Sequence, residues 1–176
     1  MQFRWNHTQG APDYDRETGF GFVTGAVYTA DAALHIPEIN SGFLPLWWYA
    51  GTPISDIQQS EYGLQATAAE ALRTEDAADR RLPVWLRIQV PGEGVYRAEI
   101  TVTGTDGGEV LVFTGRRRLA WRGVLPAGAQ QIVTAYCDVF PIVPRGQADA
   151  VASDAVNIAV VGGALSAVAL AEAPHT

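Results

Sequence analysis

The sequence predicts an all-β domain made of two stacked antiparallel sheets. Between residues 82 and 173, short segments alternate apolar and polar side chains, and turn-forming residues separate them at intervals of about ten residues. The sequence shows no regular succession of strands and helices that would build a parallel sheet. Short strands at this spacing are typical of a two-sheet sandwich, which is the predicted architecture.

The individual strands follow from the alternation. In "PVWLRIQV", which begins at Pro83, the aliphatic side chains share one face, whereas Trp85, Arg87 and Gln89 share the other. The segment "VYRAEITVTG" repeats this pattern, and "TDGGE" supplies a turn before "VLVFTG". Further strands are predicted in "RRLAWRGV" and "QQIVTAYCDVFPIV" and, near the N-terminus, in "FRWN" and "GFGFV".

The apolar run near the C-terminus, "AVNIAVVGGALSAVALAEA", allows two interpretations. At about 18 residues it is just long enough to span a bilayer. However, Asn157 and Glu172 lie near its ends, and Gly162-Gly163 interrupts its middle. We therefore expect two short strands joined as a hairpin by the Gly-Gly turn, and no membrane segment.

The N-terminal half is less regular, and it contains the one segment with helical spacing. Residues 64–80, "LQATAAEALRTEDAADR", place Leu64, Ala68, Ala71 and Leu72 at positions that share one face of a helix. This pattern predicts a short surface helix inside an insertion that covers about residues 34–81.

Composition excludes several classes of partner. The net charge is −7 and all 12 basic residues are arginine, which argues against a nucleic-acid surface. The cluster formed by Arg116, Arg117, Arg118 and Arg122 is typical of a solvated strand face or an ion-pair site. The single cysteine, Cys137, excludes an internal disulfide, and its alternation with apolar neighbours predicts a buried, inert thiol. Since the N-terminus lacks an apolar signal segment, we expect a cytoplasmic chain.

Catalytic motifs are missing from the sequence. There is no Gly-x-Ser-x-Gly or Gly-Asp-Ser nucleophile motif, and the three histidines, His7, His35 and His175, lack metal-ligand spacing. Carboxylates suited to glycoside hydrolysis cannot be judged from sequence, because their separation is spatial. We predict no catalytic residue, no metal ligand and no cofactor; a structural calcium ion would lack a recognisable ligand loop.

The stretch "YDRETGFGF", residues 14–22, resembles the Tyr-x-x-Glu-Arg-Gly-Tyr-Gly-Phe signature of rhamnogalacturonan acetylesterase-like SGNH (GDSL) hydrolases. Four other segments are similar to motifs of that family in the same order along the chain: "FRWN", which precedes this stretch, and "LPVWLRIQVPGEGVYRAEITVTG", "GRRRLAW" and "DAVNIAVVGGALSAVALAEA", which follow it. The resemblance covers both ends and most of residues 82–173. It departs from the family where Arg4 replaces an aspartate and Thr18 an arginine, and the insertion inherits nothing from it.

The resemblance implies that residues 1–173 form the jelly-roll, galactose-binding-like accessory domain of such an esterase. Residues 174–176 would then begin a linker to a C-terminal SGNH hydrolase domain, which would be the main partner and would carry the catalytic residues. A pectic oligosaccharide is a second expected partner. An independent carbohydrate-binding module and a structural or oligomerisation sandwich are the alternatives.

The aromatic run Trp47-Trp48-Tyr49 provides the predicted ligand site. If the segment is extended, its side chains alternate between two faces, and one core can take only one of the two sets. Core packing, contact with a partner domain and stacking on a sugar all remain open for the others. Gln58 is the predicted polar contact of a sugar beside this run. Trp85 and Arg87, on the polar-looking face of their strand, are the predicted interdomain contacts.

Overall fold

The computed structural model describes residues 1–24, 55–68, 83–115, 118–141 and 154–174. Eleven strands and one short 3-10 helix, His7–Gln9, occur in these ranges. The strands are β1 (Gln2–Asn6), β2 (Phe20–Phe22), β3 (Ser55–Ser60), β4 (Gly63–Ala68), β5 (Val84–Gln89), β6 (Gly94–Thr103), β7 (Glu109–Thr114), β8 (Arg118–Val124), β9 (Gln130–Val139), β10 (Ala155–Val161) and β11 (Ala164–Glu172).

The strands form two antiparallel sheets, which confirms the predicted sandwich. The first sheet has six strands in the order β3-β4-β11-β6-β9, and β1 also pairs with β11. The second sheet has five strands in the order β2-β5-β10-β7-β8. The alternation read from β5 and β6 directs Val84, Leu86, Ile88, Ile100 and Val102 into the core between the sheets.

The C-terminal strands exist as predicted, but the predicted hairpin is wrong. β10 pairs with β5 and β7 in the second sheet, whereas β11 pairs with β1, β4 and β6 in the first. Gly162-Gly163 therefore carries the chain from one sheet to the other. A side chain at Gly163 would lie 2.8 Å from Val110 Cγ2, so the crossing passes close to the core. The "TDGGE" turn likewise connects β6 of the first sheet to β7 of the second.

The helix predicted over residues 64–80 is wrong for its first five residues. Residues 64–68 belong to β4, which pairs with β3 as a hairpin. Leu64 is buried and Ala66 packs against the core, so the inward positions follow a period of two. This hairpin joins the first sheet through the pair Leu64 and Leu165, and part of the predicted insertion is therefore sandwich. Residues 69–80 lie outside the described residues.

A bulge in β11 receives the turn between β3 and β4. The register of β11 against β6 shifts between Leu165 and Ala167. Ser166 Oγ, at the bulge, donates a hydrogen bond to the carbonyl of Tyr62 at 2.6 Å and lies 2.6 Å from Thr103 Oγ1. Since Ser166 has one hydroxyl proton, the Thr103 hydroxyl donates to Ser166. Gly63 has a φ of 134°, and a Cβ there would lie 2.4 Å from the Leu165 carbonyl oxygen.

We expect Gly63→Ala to destabilise the fold by about 1–3 kcal/mol, because it combines a disfavoured φ with a backbone clash. Urea unfolding followed by circular dichroism measures this loss. Gly94→Ala is the matched control, since Gly94 has a φ of 151° and nothing within 4 Å of a Cβ. It isolates the conformational cost. Equal losses for the two variants would show that the contact with Leu165 contributes nothing.

Cys137 is buried on the core face of β9, as the alternation predicts. Burial raises the pKa of its thiol from 9.0 to about 11, a shift that a hydrogen bond from Thr114 partly opposes. The folded state thus favours the neutral thiol. Its contribution to stability is complete below pH 9 and is lost as the pH rises through about 11.

We expect the unfolding free energy of the wild type to fall more steeply between pH 9 and 11 than that of Cys137→Ala. The slope difference approaches about 1.4 kcal/mol per pH unit at its largest. Urea titrations at several pH values measure it, and the comparison removes the contribution of other groups that titrate in this range. Parallel curves for the two proteins would contradict the burial of the thiol.

Candidate functional site: an alanine-floored groove

The two outer faces of the sandwich differ in their exposure. In the second sheet, β10 is buried along its whole length, so both of its faces are covered. β5 is buried on both faces up to Ile88, and the side chains of Trp85 and Arg87, which point away from the core, are each 2% exposed. The central part of this outer face is therefore closed to solvent.

A buried polar network occupies the closed face. Asn157 Oδ1 accepts hydrogen bonds from Trp85 Nε1 at 2.8 Å and from Arg87 Nη1 at 3.3 Å. The guanidinium of Arg87 lies 5.4 Å from the ring centroid of Tyr14 and 3.8 Å from the carboxylate of Asp154. Cation–π contact and charge neutralisation together make it possible to bury this cation. Trp85 and Arg87 thus have little surface left for the interdomain contact that their polar-looking face predicts.

The outer face of the first sheet is open. Strand register places its side chains in rows across β1, β11, β6 and β9. The middle row contains Arg4, Ala169, Glu99 and Thr134. The row on one side contains Gln2, Ala171, Arg97 and Tyr136, and the row on the other side contains Asn6, Ala167, Thr101 and Ile132. The centre of every row is thus an alanine on β11, between longer side chains on both neighbouring strands. We call this depression, with its floor of Ala167, Ala169 and Ala171, the alanine-floored groove.

The groove has two adjoining parts. The larger cavity has a volume of about 390 Å³ and is lined by residues from all four strands, including Asn6, Thr101 and Ile132. A smaller cavity of about 110 Å³ continues it towards Gln2 and Ala171. Arg4, Glu99 and Ala169 line both parts, so the row that contains them is the middle of the groove. The larger volume lies in the range of small-ligand sites.

The walls of the groove offer a donor and an acceptor on opposite sides. Arg97 Nη2 lies 2.9 Å from Glu99 Oε1, which neutralises that carboxylate within its own strand. Arg4 is exposed, and within the described part of the chain it forms no ion pair. Its guanidinium is therefore available to an external acceptor. Ile132 and Tyr136 lie on β9, at the rim of the groove beyond β6, and are 61% and 51% exposed. They add apolar surface to a polar site.

The sequence-predicted ligand residues are only partly covered by the structure. Trp47, Trp48 and Tyr49 lie outside the described residues. Gln58 is exposed on β3, and since its neighbour Ile57 packs on the core, its side chain points to the outer face of the first sheet. That is the same face as the groove. Sequence reasoning missed Arg4, Glu99 and Ala169, whose alignment depends on strand pairing; the one visible signal was the repeated alanine at every second position of β11.

The described residues also show how other charged and metal-ligating side chains are arranged. No group of three or more His, Cys, Asp and Glu side chains comes together as a metal site within them. Arg122 pairs with Glu109 at 2.7 Å, and Arg118 donates to the Tyr136 carbonyl at 3.4 Å, so these two members of the arginine cluster follow the predicted surface role. Across the same residues, no helix has the length and apolar character needed to cross a membrane.

Comparison with known proteins gives a distant structural neighbour. No protein-family model and no curated protein match this chain. A carbohydrate-binding module, CBM6cm-2 from Cellvibrio mixtus lichenase 5A, solved in complex with cellotriose, shares 11% sequence identity. The match covers 69% of this chain and 88% of that chain, with a TM-score of 0.34. The resemblance to SGNH esterases therefore rests on the sequence motifs alone.

We expect Asn157→Leu to destabilise the protein by about 1–3 kcal/mol, because it removes the acceptor shared by two buried donors, Trp85 and Arg87. Asn157→Asp is the matched control: it keeps the acceptor and places a counter-charge beside the guanidinium. At neutral pH this control should retain most of the stability in a urea titration. A leucine variant as stable as the wild type would show that the network does not hold the closed face.

Proposed function

We propose that this chain is a non-catalytic binding module whose alanine-floored groove holds an extended oligosaccharide. The observation that carries the proposal is the central row of the open face, in which Arg4 and Glu99 flank Ala169. A donor and an acceptor on opposite walls suit hydroxyl groups, which can both accept and donate hydrogen bonds. The β1 and β6 backbones lie about 10 Å apart across β11, which leaves room for one chain above the methyl groups.

The apolar parts of the groove support the same ligand class. A sugar presents faces of C–H groups between its hydroxyls, and alanine methyls, Ile132 and Tyr136 provide apolar surface for such faces. Aromatic side chains with one polar end are well suited to surfaces that are partly wet. The groove lies on the open face of a sheet and is not an enclosed cavity, so it favours a linear ligand over a compact one that needs enclosure.

The finer proposal is that the ligand is a pectic oligosaccharide and that the module belongs to an SGNH-type carbohydrate esterase. Arg4 supports an acidic sugar, since a guanidinium binds a carboxylate with two parallel hydrogen bonds. The esterase parentage is supported by the ordered motifs between residues 14 and 173. Any deacetylation would then be performed by a hydrolase domain of the same polypeptide, and this chain would help to hold the substrate.

The groove predicts a specific pattern in calorimetric titrations with oligogalacturonides. Arg4→Gln and Ala169→Leu should each weaken binding at least tenfold, the first by removing the guanidinium and the second by filling the floor. Arg122→Gln is the matched control, because it changes an exposed arginine on the other sheet. It should leave the affinity unchanged.

The outcome also separates the finer proposal from the broader one. Equal affinity of the wild type for neutral and acidic oligosaccharides would contradict the proposed preference for an acidic sugar but would leave the groove as the proposed binding site. Wild-type binding that neither groove variant weakens would contradict the groove itself.

A second candidate site is the aromatic run at residues 47–49, for which the observation is the sequence alone. If it stacks on sugar, Trp47→Ala or Trp48→Ala weakens binding without lowering the melting temperature. Because Gln58 points to the same outer face as the groove, its substitution by alanine is informative in the same titration. A loss of affinity in the tryptophan variants together with normal binding by Arg4→Gln would move the ligand from the groove to the aromatic run.

A further inference from the structure

Strand β9 forms a long and regular edge of the first sheet. It pairs with β6 over all ten of its residues without a register shift. Within the part of the chain that the structure describes, no strand pairs with its other side. The other edge strands there, β1, β2, β3 and β8, are shorter, and β8 pairs with β7 across an irregularity. Edges of this kind are templates for pairing with another chain unless they are blocked.

The backbone groups that face the free side of β9 can be identified. The Val95 carbonyl accepts a hydrogen bond from Ala173 N, so this group of β6 points towards β11. Because backbone groups alternate in direction along a strand, the amides of Ile132, Thr134 and Tyr136 point away from β6. The carbonyls of Ile132 and Tyr136 accept from Gln131 Nε2 at 3.1 Å and from Arg118 Nη1 at 3.4 Å. Both bonds are exposed, and the one from Arg118 is long, so a backbone donor of a second chain can replace them.

The sequence of this edge is complementary to itself. If the β9 strands of two copies of the chain pair antiparallel with Thr134 at the centre, Thr134 lies opposite Thr134 of the other copy and Ile132 lies opposite Tyr136. The same register sets Gln130 opposite Asp138, so no like charges face each other. An aromatic residue opposite a β-branched one is a favourable cross-strand pair, and both of these side chains are more than half exposed in the single chain. Residues 130–137 of the strand include no charged residue and no proline, the kinds of residue that commonly block an edge.

We propose that β9 pairs with β9 of a second copy of this chain, antiparallel about a two-fold axis at Thr134, so that the two first sheets become continuous. The interface is isologous, and it closes after two copies. Pairing satisfies the free backbone groups of β9 and sets Ile132 of each copy beside Tyr136 of the other on the outer face, where each keeps its solvent-facing side. The inference is independent of the ligand, since it rests on register and exposure alone.

Analytical ultracentrifugation over a concentration series tests the proposal. The wild type should shift from the 18.9 kDa monomer towards twice this mass. Thr134→Lys and Thr134→Glu should each remain monomeric, because the substitution places two like charges together at the two-fold axis. An equimolar mixture of these two variants should recover the dimer, since opposite charges then meet. Ala127→Lys adds the same charge to an exposed turn and should behave like the wild type.

Each contrary result overturns the proposal. A wild type that is monomeric at all concentrations shows that the edge is unpaired or takes a different partner. A Thr134→Lys variant that still dimerises places the interface elsewhere, and a mixture that stays monomeric contradicts the two-fold axis at Thr134. Hydrogen exchange of the wild type needs no variant: the amides of Ile132, Thr134 and Tyr136 should become protected as concentration rises.

Discussion

The structure depends on one stretch of chain that supplies a central strand to both sheets. β10 lies between β5 and β7, and β11 lies between β6 and the strands β1 and β4. The two central strands are consecutive, and only Gly162 and Gly163 separate them. Because the remaining strands of each sheet assemble on these two, the crossing at the Gly-Gly pair fixes how the layers stack. The apolar character of the run, which resembles a membrane segment in sequence, reflects the burial of both faces of β10 and the alanines on the outer face of β11.

The difference between the two outer faces follows from the side chains of these central strands. β10 and its neighbour β5 place Asn157, Trp85 and Arg87 on the outer face, where a shared acceptor and the ring of Tyr14 make burial possible. β11 places only alanines on its outer face, while β1 and β6 place long polar residues beside them. The small side chains along β11 lie between longer side chains along β1 and β6, and this difference in length forms the groove. The closed face therefore stabilises the domain, and the open face is available for binding.

Sequence patterns predicted the inward positions well where one face is apolar. The alternation in β5, β6 and β9 identified core residues, including Cys137, because a period of two cannot be mistaken over six to ten residues. It failed in residues 64–68, where Leu64 and Ala68 also match helical spacing and where the short alanine-rich segment cannot distinguish the two periods. Pairing β4 with β3 and β11 decided the outcome, and pairing is a tertiary property.

Several features of the structure depend on partners that are distant in sequence. The Gly-Gly turn indicates a chain reversal but not which sheet each strand joins, so the hairpin was a reasonable and incorrect choice. The sequence predicts Arg87 as an interdomain contact, and only the fold places Asn157, 70 residues later in the chain, beside it. The groove has the same origin: Arg4, Glu99 and Ala169 lie far apart along the chain, and only the register of three strands aligns them.

The two proposals have a joint geometric consequence. If β9 strands of two copies pair, the order from one floor to the other is β11, β6, β9, then β9, β6 and β11 of the second copy. Five strand spacings separate the floors by about 24 Å, with both grooves on the same side of one continuous sheet. A polymer that reaches both grooves would bind the second one at a high effective concentration, so weak single sites would suffice. An open groove with few polar contacts is then a workable binding site, because affinity for a long chain comes from two grooves and does not require either to be enclosed.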